Sequence, residues 1–76
     1  MSEPAADAAY DLLNAIIAAY SSRIGRADNP EEAAVLRNQR APYLQERASL
    51  GRLAEADIRR ILADYPAVLQ QIRNGR

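Results

Sequence analysis

Apolar residues recur along this chain at helical spacing, in three stretches separated by turn signals. In the first, Ala9, Tyr10, Leu12, Leu13, Ile16, Ile17, Tyr20 and Ile24 fall within an arc of roughly 160° at 100° per residue. Asp7, Asp11, Asn14, Ala18, Ser21 and Ser22 take the other side. The spacing predicts a helix over about residues 4–24, with an apolar arc wide enough to meet two neighbours. Ser2 suits the N-cap, Pro4 is tolerated in a first turn, and acidic residues follow near the positive end of the helix dipole. Gly25 is expected to end the helix in the left-handed conformation.

The next start signal is Asn29-Pro30-Glu31-Glu32. Asn29 caps, Pro30 takes the first helical position, and Glu32 reaches back as a capping-box partner. This predicts a second helix over about 30–50, stopped by Gly51. Leu53 and Ile58 then occupy the two positions of a hydrophobic staple, with Asp57 at the third helical position of a helix over about 55–73. Ile58, Ile61, Leu62, Tyr65, Val68, Leu69 and Ile72 lie within an arc of about 120°, and Asn74-Gly75 closes the pattern. Pro42 and Pro66 fall inside the second and third stretches, opposite their apolar centres. A solvent-facing proline suits a helix curving convexly toward water, so two kinked helices are expected, a break at Pro42 being the alternative. The fold class is all-α: a small three-helix bundle, up-down-up, with residues 1–76 as one helical domain.

Composition narrows the chemistry. A chain of 76 residues buries only about 60% of the surface its unfolded form exposes, and small domains usually add a disulfide, a metal or self-association. With neither cysteine nor histidine, disulfides and the usual structural zinc sites are excluded, which leaves helix packing and self-association. No stretch is apolar for long enough to cross a bilayer. The opening Met-Ser-Glu-Pro lacks the features of a secretory signal, so a cytoplasmic location is expected. Every basic residue is arginine and alanine is abundant, a balance that a GC-rich bacterial genome produces without functional demand. Charge is unevenly placed. Residues 1–36 carry two arginines against six carboxylates, and residues 37–76 carry eight arginines against four.

One feature breaks the amphipathic pattern. Arg40 and Arg47 project into the middle of the second helix's apolar arc, among Ala33, Leu36, Tyr43, Leu44, Ala48 and Leu50. A charge there needs an anion or a route to the edge of the core. Asp57 and Asp64 flank the third stripe at the same seven-residue spacing, and a hairpin centred near Arg52 brings Arg47 level with Asp57 and Arg40 level with Asp64. Two interhelical ion pairs that fix the hairpin register are therefore expected. The alternatives are that Arg37, Arg40 and Arg47 bind an anion or acidic peptide, or that the arginines simply snorkel.

Catalysis is not expected. No histidine or cysteine serves as nucleophile, base or ligand, no glycine-rich loop precedes a helix, and the carboxylates are dispersed at caps and solvent faces. No cofactor or metal is implied. The expected role is a protein-interaction module of adaptor, antitoxin, immunity or accessory type. Its partner is a second copy or another protein, docked around Tyr10, Leu12, Leu13, Ile16, Ile17 and Tyr20 of the first helix, with Arg37 nearby. That expectation rests on the three helices having more apolar surface than one small core hides. The competing reading is nucleic-acid binding through Arg52, Arg59, Arg60, Arg73 and Arg76, against which stand the acidic first helix and Asp57 and Asp64 on the same surface.

Overall fold

A computed structural model of the chain describes residues 3–75. It is all-helical: α1 (Glu3–Gly25), α2 (Pro30–Ser49), a short 3₁₀ turn (Leu50–Arg52) and α3 (Glu55–Asn74). The proposed Ser2 cap and the phosphate-facing role for Arg76 lie outside the described residues.

Local chemistry accounts for most boundaries. At the start of α2, Asn29 is extended, and its side-chain oxygen accepts the Glu32 N–H at 2.8 Å. Glu32 does reach back, but its carboxylate accepts the N–H of Asp28 at 3.0 Å, one residue before the cap. α3 starts at Ala54 without a side-chain cap; the Ala54 carbonyl accepts from Asp57 and Ile58. Its entry is held instead by Leu53, which packs on the cluster containing Ile58, as the staple pattern predicts.

One glycine expectation fails: no described glycine has positive φ, so Gly25 does not end α1 as a left-handed stop. α1 closes through a tightened turn in which Arg26 and Ala27 donate to the carbonyls of Arg23 and Ile24. α2 passes directly into the 3₁₀ turn, with Leu53 donating back to Leu50. Both α2 and α3 continue through their prolines, whose rings are exposed as their phase requires.

α1 is the central element. It packs along both α2 and α3, whereas the backbones of α2 and α3 stand farther apart. The helices lie side by side in a long, thin envelope of 42 × 21 × 14 Å. Two clusters fill the interior. Ala9, Leu13, Leu50, Ile58 and Ile61 occupy one end, and Ile16, Tyr20, Leu36 and Ile72 the other. Leu13, Ile16, Ile58 and Ile61 are wholly enclosed. The wide arc of α1 is thereby consumed within the chain, because it faces two helices at once.

That consumption corrects the expected docking face. Leu13, Ile16, Ile17 and Tyr20 are core residues, and Leu12 is half-buried against both clusters. Of the proposed set, Tyr10, at 46% exposure, and the exposed Arg37 remain open to a partner. Among the described residues Val35 is the other exposed large apolar side chain. An excess of greasy surface therefore gives little motive for association.

Candidate functional site

Two arginines lie on the apolar arc of α2, Arg40 near the middle of the helix and Arg47 in its last turn. Both turn toward α1. Arg40 donates through Nη1 to Ser21 Oγ at 2.9 Å, and Arg47 donates through Nη1 to Asn14 Oδ1 at 2.7 Å. Residues 14 and 21 of α1 share the seven-residue spacing of residues 40 and 47 on antiparallel α2, so one register aligns both bonds. These acceptors are neutral. They satisfy donors without cancelling charge, and the buried Nε of Arg40 has no partner at all.

The expected Arg40–Asp64 and Arg47–Asp57 ion pairs are therefore not formed within the chain. The reason is positional. α1 reaches the arginine side of α2 first, while the seam between α2 and α3 is occupied by tyrosines. Tyr20 stacks on Tyr43 with ring centres 5.9 Å apart, and Tyr43 meets Tyr65 edge-on at 5.4 Å. α3 also sits up to about one turn out of the expected hairpin register, since Glu46 faces Arg60 and Tyr43 faces Tyr65. Asp64 is exposed and Asp57 half-buried, and among the described residues neither carboxylate has a partner.

The hairpin is latched by a group that the stripe-centred reading passed over. Glu46, on the flank of α2, accepts the Tyr65 hydroxyl through Oε1 and pairs through Oε2 with Arg60 Nη2 at 3.3 Å. The Arg60 guanidinium also lies 5.8 Å from the centre of the Tyr65 ring. Glu46 is thus an exception to the expectation that carboxylates lie only at caps and on solvent faces; its side chain is 19% exposed. The hairpin count centred on Arg52 sets Glu46 level with residue 58, so Arg60 lies two residues beyond it and the pair emerges only with the shifted register. Chemically, the cluster is closed on itself, each member already holding another.

The tyrosines of this seam carry a pH signature. Burial, then the neighbouring Tyr20 and Glu46, pushes the Tyr43 phenol above its ordinary value of 10.0. Burial, then the Glu46 hydrogen bond, does the same for Tyr65. In the folded chain these phenols keep their protons at a pH where the unfolded chain has begun to lose them. Stability is then fully present below pH 10 and falls as pH rises through the raised folded-state values. Urea midpoints taken on either side of pH 10 are expected to drop, and the Tyr43→Phe/Tyr65→Phe chain to drop much less. Equal drops would show that these phenols are not the groups responsible.

Among the described residues, no group of three or more acidic side chains is placed to hold a metal ion, and no helix is long and apolar enough to cross a membrane. Of the arginines invoked for phosphate contact, Arg60 is held by Glu46, while Arg52, Arg59 and Arg73 are exposed. No protein-family model matches the chain, and neither does any curated protein or solved structure.

Proposed function

We propose that this protein is a non-catalytic helical interaction module that works as a homo-oligomer in the cytoplasm. One observation carries the reading: Arg40 and Arg47, with exposed Arg37 one turn earlier, form a cationic stripe along α2 bonded only to neutral acceptors. A guanidinium with spare donors and no counter-charge is a site prepared for a carboxylate. The polar cluster with the best internal geometry, Glu46–Tyr65–Arg60, serves the fold rather than a substrate. The exposed prolines within α2 and α3 are taken to bend both helices around α1.

Self-association is preferred to nucleic-acid binding because the arginines of α3 share their surface with Asp57 and Asp64 and one of them is engaged by Glu46. The test is thermal unfolding over a wide range of protein concentration in low salt. An oligomer that unfolds with dissociation gains stability by mass action, so its midpoint rises with concentration. A midpoint independent of concentration would refute the proposal. Steeply salt-dependent retention on DNA in the same chain would favour the nucleic-acid reading instead.

A further inference from the structure

The pairs missing within the chain leave two complementary half-sites on its surface. On α2, Arg40 and Arg47 are seven residues apart, each held by a single Nη1 bond to α1, with the Arg40 Nε unpartnered. On α3, Asp57 and Asp64 are also seven residues apart, and neither carboxylate has a partner among the described residues. Seven residues are two helical turns to within about 20°, so each pair presents two like charges on one face, about 10 Å apart along the axis. Two guanidiniums on one helix and two carboxylates on another, at one common spacing, fit side by side. Within one chain that fit is prevented, because α1 holds the arginines and the tyrosine ladder fills the α2–α3 seam.

We infer that Arg40 and Arg47 of one chain pair with Asp64 and Asp57 of a second copy, packing α2 of one chain on α3 of the other. This rests on the self-association proposed above and names its contact. A second copy is the occupant because the complementary charge, at matching spacing, is carried by the chain itself. Between Ala33 and Gln45 α2 carries no carboxylate, and Glu46, next to Arg47, is already held by Tyr65 and Arg60. The interaction steers and aligns rather than burying a large apolar area, so it weakens as salt rises.

The experiment is a charge-swap series on the full chain, read by sedimentation velocity, with helical circular dichroism confirming the fold of each variant. Arg40→Glu/Arg47→Glu alone and Asp57→Arg/Asp64→Arg alone are each expected to raise the dissociation constant at least about tenfold. Mixing the two variants is expected to restore association, because the acidic chain then meets a basic one. Arg40→Gln/Arg47→Gln guards against loss of fold: glutamine keeps donors for Ser21 and Asn14 but removes the charge, and it too is expected to weaken association. If the wild-type chain associates and the folded variants do so equally well, this pairing is overturned while self-association stands. If folded variants fail alone and the mixture also stays monomeric, the pairing is likewise overturned. A monomeric wild-type chain removes both.

Discussion

Replacing Ile16 with alanine is expected to remove about 3 kcal/mol of stability. Ile16 lies midway along α1, the helix that packs closely on both others, and it is wholly enclosed. Its cluster joins Leu36 of α2 and Ile72 of α3, so the cavity left by alanine opens where all three helices meet. A domain of this length has a total stability of roughly 4–11 kcal/mol. The loss thus takes a quarter or more of the whole and lowers the melting temperature by at least about 10 °C. Val35→Ala is the control: the side chain is 54% exposed, and its removal is expected to change stability by less than about 0.5 kcal/mol. Urea denaturation of both variants decides the matter. Similar midpoints for the two would mean that the interior is not built around α1.

The second large effect is expected at Glu46. Glu46→Ala leaves the half-buried Tyr65 hydroxyl without its acceptor and Arg60 without its counter-ion, at a cost of about 1–3 kcal/mol. The diagnostic quantity is the coupling with Tyr65→Phe. Each single variant breaks the same hydrogen bond, so the double variant is expected to fall short of the sum by about 1 kcal/mol or more. Arg60→Ala is expected to do far less, because the guanidinium is well exposed and such pairs are screened by water. Additive effects of Glu46→Ala and Tyr65→Phe would show that the carboxylate and phenol do not act together.

Much of the fold was legible in the residues. The 3.6-residue periodicity places three helices, the Asn29-Pro30 signal locates the start of α2, and the phase of Pro42 and Pro66 anticipates that both helices continue through them. These are local properties, written in side chains a few positions apart. The conformation at Gly25 was less legible, because a helix also closes through backbone turns that any residue adopts. The site was least legible. A helical wheel shows that Arg40 and Arg47 share an arc and that Asp57 and Asp64 share another, but not which helix reaches that arc first. Here α1 does, with Asn14 and Ser21, two residues that the apolar pattern assigns to the outside. The same competition moved Leu13, Ile16, Ile17 and Tyr20 from a presumed docking face into the interior.

With the apolar arcs spent on the interior, the proposed meeting of two copies rests on charge. Sedimentation equilibrium of the unmodified chain in low salt, from micromolar toward millimolar concentration, tests this most directly. The mass-average is predicted to climb above the 8.4 kDa of one chain and to fall back toward it when salt is added. A value fixed at 8.4 kDa throughout would contradict it.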